Sequence, residues 1–149
     1  MRYLSTILLG LTFSVAAHAD ATGTWKGYGE WAFQGSGVPC EMTMRYDESE
    51  AELKRLGGFF ECGIVALHSD PLTWAKKDGA LFLGEDAAGA ISENGFASRE
   101  DYGDGVHIET KFVRDGLKAA YEERWINEKN VEIYNISGNL KLEGGREED

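Results

Sequence analysis

Asp-Gly and Asn-Gly pairs punctuate this sequence at 78–79, 94–95, 104–105 and 115–116. Such pairs accept the positive φ angles of tight two-residue hairpins. The runs between them are short and alternate apolar with polar residues, which is typical of strands with one buried face. A meander of such strands removes its exposed edges by closing on itself. We therefore predict an all-β fold, an antiparallel up-and-down meander closed into a barrel of about 8–10 strands.

The alternation also places the individual strands. One charged stretch breaks the pattern, because SEAELKRL at 49–56 reads as a helical turn or a mobile loop. The predicted strands cover residues 23–33, 39–47, 58–66, 71–77, 80–85, 88–93, 96–102, 105–113, 117–127 and 131–142.

The first strand, GTWKGYGEWAF, has glycines on its apolar face between two tryptophans. That face consists of Trp25, Gly27, Gly29, Trp31 and Phe33. Because glycine has no side chain to crowd the inside of a bend, these glycines predict a strand that coils strongly around a small barrel. A β-sandwich whose glycines only accommodate facing aromatic rings is the alternative.

Cys40 and Cys62 are the two cysteines of the chain. In an exported protein two cysteines most simply form one disulfide. A bridge between neighbouring strands needs both residues on the same side of the sheet. Cys40 lies on the apolar face of its predicted strand, and Cys62 shares a face with Phe60, Ile64 and Ala66, so both cysteines point inward. A pair of free buried thiols is the alternative.

The chain begins MRYLSTILLGLTFSVAAHA, in which one arginine precedes an apolar run and an Ala-His-Ala sequence ends it. This layout is typical of a secretory signal peptide, and the run is too short for a good membrane span. We expect a signal peptide at 1–19, one barrel domain at 20–142 and a disordered acidic tail at 143–149. A structural first strand or helix is the alternative for 1–19. The processed protein is expected to be secreted or periplasmic, without a membrane anchor.

The charge of the chain disfavours polyanionic partners. Its 15 Lys and Arg residues stand against 26 Asp and Glu, a formal net charge of −11. Such a chain is repelled by phosphate backbones and by anionic lipid surfaces. Nucleic acid and anionic membranes are therefore not expected partners.

The opening GTWKGYGEW resembles the Gly-x-Trp strand of lipocalin and calycin-like barrels, and that of nitrobindin-like domains. The matching residues are Gly23, Trp25, Gly27 and Gly29. The resemblance implies a lipocalin-like barrel in which the tryptophan closes one end and a late-strand arginine packs on it. Trp25 and Arg124 are expected in these structural roles. The alternation of that strand sends Arg124 outward unless a bulge intervenes, and it sends Glu123 inward, where a buried carboxylate needs a partner.

Aromatic and methionine side chains on the predicted inner faces either fill the core or line a cavity open at one end. A ligand-binding role is expected for Trp31, Phe33, Met42, Met44, Phe60, Tyr121 and Trp125. The expected function is binding of a small, mostly apolar or aromatic molecule. A protein-binding module of the cell envelope, either a secreted inhibitor or an assembly factor with a filled barrel, is the alternative.

Catalytic and cofactor sites find little support in the sequence. It contains no G-x-S-x-G, no H-E-x-x-H and no Gly-rich phosphate loop, so an enzyme is not expected. Nitrobindin-like barrels bind haem through one histidine, which makes haem the cofactor to consider. His68 lies at a predicted strand end and His107 alternates outward, so we expect surface histidines, no cofactor and no metal.

Overall fold

The computed structural model describes residues 20–145, and within them the chain consists of strands and turns. No helix in this part of the chain is long and apolar enough to cross a membrane. The predicted signal peptide and residues 146–149 of the predicted tail lie outside the described residues. The strands are β1 Gly23–Phe33, β2 Ser36–Glu48, β3 Glu52–Cys62, β4 Val65–Ser69, β5 Leu72–Lys77, β6 Ala80–Leu83, β7 Asp86–Ser92, β8 Gly95–Gly103, β9 Val106–Asp115, β10 Lys118–Ile126 and β11 Glu132–Leu142.

The strands form one antiparallel up-and-down sheet whose hydrogen bonds run in a ring, as predicted. The ring passes from β1 through β2, β3 and β5 to β11, and β11 pairs with β1 again. All four predicted Asp-Gly and Asn-Gly turns join consecutive strands, and the backbone is left-handed at Asp78 and Asp104, with φ of 52° and 53°. The local turn chemistry therefore fixes four of the ten connections between consecutive strands.

Strand β4 departs from the ring. The first half of β3 pairs with β5, and its second half pairs with β4. Among the described strands β4 has only this partner, and residues 99–103 of β8 pair only with β9. The barrel is therefore closed through all its strands at one end and is split between β4 and β8 at the other. We call these the closed end and the split end.

Two sequence predictions are wrong at β3. The predicted strand at 58–66 is a hairpin, because the chain turns at Gly63 with a φ of 65° and leaves Ile64 in solvent. Ile64 and Ala66 therefore do not share the inner face with Phe60. Residues 52–56 of the charged stretch are strand, because Leu53 is buried in the core and both edges of this segment find partners in β2 and β5.

The glycines of β1 allow a close backbone approach. A Cβ on Gly27 would overlap the backbone oxygen of Asn139 in β11, and one on Gly29 would overlap that of Ser137. The thioether of Met42 lies against Gly29 and against its register partner Gly138. The predicted coiling of β1 thus corresponds to tight packing on β11, and Met42 fills the space beside Gly29.

The disulfide between Cys40 and Cys62 is confirmed. The two residues are direct register partners on β2 and β3, with Cα atoms 4.2 Å apart. Both are buried on the inner face. Closing a loop of this length contributes roughly 3 kcal/mol in the chain-entropy model, and the bond is compatible with an oxidising, extracellular environment.

Candidate functional site

Trp25 packs inside the closed end of the barrel. Its indole Nε1 donates a hydrogen bond of 2.9 Å to the carbonyl oxygen of Ala21, and its ring meets Phe112 edge-on at 5.1 Å. The guanidinium carbon of Arg114 lies 5.2 Å from the centre of the Trp25 ring. Arg114 also donates to the carbonyl oxygens of Asp20 and Gly116. Arginine over tryptophan is a favourable cation–π geometry, so this end is tied by side chains as well as by the sheet.

The arginine on Trp25 is therefore Arg114 of β9, and the expectation that Arg124 packs there is corrected. Arg124 points outward and pairs with Glu132 at 2.9 Å and with Glu109 at 3.3 Å. The alternation of β10 is regular through Glu123 and Arg124, and the only irregularity against β11 comes later, between Trp125 and Ile126. No bulge brings Arg124 inside.

Glu123 is the centre of a polar cluster inside the split end. Its side chain is only 3% exposed. One carboxylate oxygen accepts hydrogen bonds from the Tyr121 hydroxyl at 3.0 Å and the Ser69 hydroxyl at 3.2 Å. The other accepts from the Trp125 indole at 3.1 Å. Glu123 therefore points inward, as predicted. Its carboxylate is paired with three neutral donors from β10 and β4.

Arg55 is the cation of this cluster and is also 3% exposed. Its two terminal nitrogens donate to the two oxygens of Glu100 at 2.7 and 2.9 Å, and its Nε donates to the carbonyl oxygen of Asp70 at 2.6 Å. This bidentate pair joins β3 to β8 across the start of the split. Arg55 also lies over Trp74, 5.4 Å from the ring centre.

Burial dominates the electrostatics of the cluster. Desolvation raises the pKa of the Glu123 carboxyl, although the hydrogen bonds from Trp125 and Tyr121 and the charge of Arg55 oppose this. Desolvation also raises the pKa of the Tyr121 and Tyr46 hydroxyls. Burial is the largest influence on the pKa of Arg55 and alone would lower it, but the hydrogen bonds with Glu100, the charge of Glu100 and the nearby Tyr121 and Tyr46 together raise it. The site holds its carboxyl group where the charged form is costly.

Several polar atoms at the cluster lack a partner among the described residues. Thr110 is the register neighbour of Glu123 across β9 and β10, and Ser98 is the neighbour of Thr110 across β8 and β9. Both side chains are buried on the inner face, and both hydroxyls are unpaired. The buried indole nitrogens of Trp31 and of Trp74 on β5 are likewise unpaired. Buried groups of this kind ordinarily find a protein, water or ligand partner.

A set of aromatic side chains, here called the aromatic rim, lies at the split end. Its members form a chain of ring contacts at centroid distances of 4.6–6.2 Å. Tyr102 and Phe33 are 61% and 41% exposed, and the other three are half-buried. The members are Phe33, Trp31, Tyr134, Trp125 and Tyr102. Trp125 belongs to the rim and also donates to Glu123, so it links the surface to the buried carboxylate.

The predicted ligand residues fall into two groups. Trp31, Phe33 and Trp125 lie on the aromatic rim. The remaining predicted residues are buried in the core and fill it: Met42, Met44, Phe60 and Tyr121. Tyr121 also belongs to the polar cluster, because its hydroxyl donates to Glu123. A ligand-binding role for these residues stays a prediction.

Sequence reasoning missed several members of the site. Arg55 lies in the charged stretch at 49–56, which reads as a helical turn or a loop. The available signal was its position two residues after Leu53, which places both side chains on the same face of a strand. Glu100 lies in the run SREDYGDG, which reads as a solvated turn. Ser69 and Tyr134 carried no sequence signal, because they enter the site only through the pairing of β4 and β11.

Neither histidine of the described chain faces the interior. His68 lies on the outer face against Phe59, with ring centres 4.9 Å apart. His107 alternates away from the inner face of β9, but its side chain is buried, 7% exposed, with Nε2 3.3 Å from a Glu109 oxygen. The expectation of a surface histidine is therefore wrong for His107. Among residues 20–145 no group of three or more His, Cys, Asp or Glu side chains is placed to hold a metal ion.

Comparisons with known proteins do not assign the chain to a group. No protein-family model matches its sequence, and no curated protein matches it.

Proposed function

We propose that this protein binds a small, mostly apolar or aromatic molecule at the split end of its barrel. The observation that carries the proposal is the stacking of two layers at this end. Partly exposed aromatic rings form the outer layer, and unpaired inward-facing polar atoms of Trp31, Thr110 and Ser98 lie beneath them. Ligand sites typically combine apolar and aromatic walls with a few convergent polar groups.

The wider assignment to lipocalin-like barrels belongs to the same proposal. It is supported by the Gly-x-Trp-x-Gly opening on β1 and by an arginine from a late strand, Arg114, packed on that tryptophan. Export is proposed as well, on the signal-like residues 1–19 and the disulfide. Fold alone does not determine function, so the binding proposal rests on the site itself.

The test uses N-phenyl-1-naphthylamine, an apolar probe that is neutral at pH 7 and becomes fluorescent when it leaves water. We expect saturable one-to-one binding to the wild-type protein. Trp31→Ala and Trp125→Ala should each weaken this binding, because they remove the walls of the aromatic rim. The matched control is Phe59→Ala, which removes an aromatic ring from the outer face and should leave probe affinity unchanged. Absence of saturable binding to folded wild-type protein would contradict the proposal.

A protein-binding module is the second candidate, and one feature favours it. Strand β4 has a free edge among the described strands, and the turn before it leaves Ile64 fully exposed. Free strand edges accept an added strand from another chain. Ala66→Pro removes a backbone N–H from β4 and so tests its edge. If this variant loses association with a partner protein but still binds the probe, the two functions reside in different parts of the protein.

A further inference from the structure

The charges inside the split end do not balance. Glu123 and Glu100 supply two carboxylates against the single guanidinium of Arg55. Arg55 is committed to Glu100 through two hydrogen bonds and to the Asp70 carbonyl through a third. Within the described chain Glu123 has no ion-pair partner, and its three hydrogen bonds come from neutral groups. An uncompensated buried carboxylate is unfavourable unless a cation reaches it.

The surroundings of Glu123 suit an organic cation. Trp125 donates to the carboxylate, and its ring stacks on Tyr134 at 5.1 Å and meets Tyr102 at 4.6 Å. Aromatic faces next to a carboxylate attract ammonium groups through the ring quadrupole. The unpaired hydroxyls of Thr110 and Ser98 add acceptors on the same inner face. An ammonium group has three donors and no acceptor, so it matches a site of acceptors.

Building on the proposed function, we infer that the ligand is a protonated amine that carries an aromatic group. Its ammonium would pair with Glu123, and its ring would join the aromatic rim. A carboxylate ligand would meet two carboxylates and is disfavoured. A neutral alcohol would form hydrogen bonds but would leave the charge of Glu123 unpaired.

Three probes with the same ring test this inference: 2-phenylethylamine, 2-phenylethanol and 3-phenylpropionate, titrated by calorimetry at pH 8. At this pH the amine is protonated. We expect the amine to bind about tenfold tighter than the alcohol, which is the scale of one charge-assisted hydrogen bond, and the carboxylate to bind weakest. Equal affinity for amine and alcohol, or a preference for the carboxylate, would overturn the inference while leaving the proposed function intact. No binding of any aromatic probe would overturn both.

The variant Glu123→Gln tests whether the preference for the amine depends on the Glu123 carboxylate. It should lower amine affinity about tenfold and leave alcohol affinity within about twofold, because the shape of the site is retained. Glu122→Gln is the matched control, since Glu122 is the next residue, carries the same charge and faces solvent. It should change neither affinity by more than about twofold, because charges in solvent are screened. Equal loss in both variants would assign the amine preference to overall charge and overturn the role of Glu123. Should Glu123→Gln not fold, the wild-type ranking of the three probes decides.

Discussion

The two ends of the barrel differ in how their buried polar atoms are paired. At the closed end the Trp25 indole donates to a backbone carbonyl, and Arg114 covers the ring while two carbonyls accept from its guanidinium. At the split end Glu123 has neutral donors only, and the Trp31 indole has no partner within the described chain. The closed end thus pairs Trp25 and Arg114 within the chain, although the buried indole nitrogen of Trp74 on β5 has no partner among the described residues. The split end leaves unpaired the Trp31 indole and the Thr110 and Ser98 hydroxyls, which another molecule can satisfy.

Trp25→Ala should cause the largest loss of stability, as expected if the closed end has a structural role. Truncating a fully buried tryptophan removes its packing and leaves a cavity, at a cost of roughly 3–5 kcal/mol. Urea denaturation measures the change in unfolding free energy. Trp31→Ala is the comparison, because Trp31 is half-buried and should cost clearly less. Equal losses in the two variants would remove the distinction between the ends.

Gly27→Val tests the close contact between β1 and β11 that shapes the barrel wall. The added side chain would collide with the backbone at Asn139, which cannot move as a flexible side chain does, so we expect a loss of about 3 kcal/mol. Ala120→Val on the outer face of β10 is the control and should change stability by less than about 0.5 kcal/mol. A similarly small effect at Gly27 would mean that the two strands are farther apart than described.

Replacing Arg114 and Arg124 in turn tests which of the two arginines stabilises the fold by packing on Trp25. Arg114→Met should cost about 1–3 kcal/mol, because it removes the contact with Trp25 and the donors to two carbonyls. Arg124→Met should cost less than about 1 kcal/mol, because its ion pairs are on the surface. Thermal denaturation of both variants measures the difference. The reverse order would place the structural arginine at 124.

The pH dependence of stability should carry a small contribution from Glu123. Its carboxyl pKa is raised by burial, so the folded protein binds this proton more tightly than the unfolded chain does. The contribution is fully present below the ordinary pKa of 4.5 and is lost as the pH rises through the folded pKa. The difference in unfolding free energy between wild type and Glu123→Gln should therefore shift against the wild type from pH 4 to pH 8. A difference that stays constant with pH would contradict the raised pKa.

Much of the fold follows from the sequence, because hairpin turns and period-two alternation act locally. The strand limits of β1, four turns, the disulfide and the inward position of Glu123 all follow from such patterns. The partner strands of β3 do not, since a split sheet depends on contacts far apart in sequence. For the same reason the charged stretch that contains Arg55 reads as a helical turn or a mobile loop, because Glu100, which neutralises Arg55, is forty-five residues away.

The most direct test of the difference between the ends is two-dimensional NMR of the indole N–H groups during titration with 2-phenylethylamine. The chain has four tryptophans, so each indole gives its own signal. We predict that the Trp31 and Trp125 signals shift progressively to saturation, while the Trp25 signal at the closed end stays in place. A shift of Trp25 without shifts of Trp31 and Trp125, or no shift of any indole at saturating probe, would contradict a ligand site at the split end.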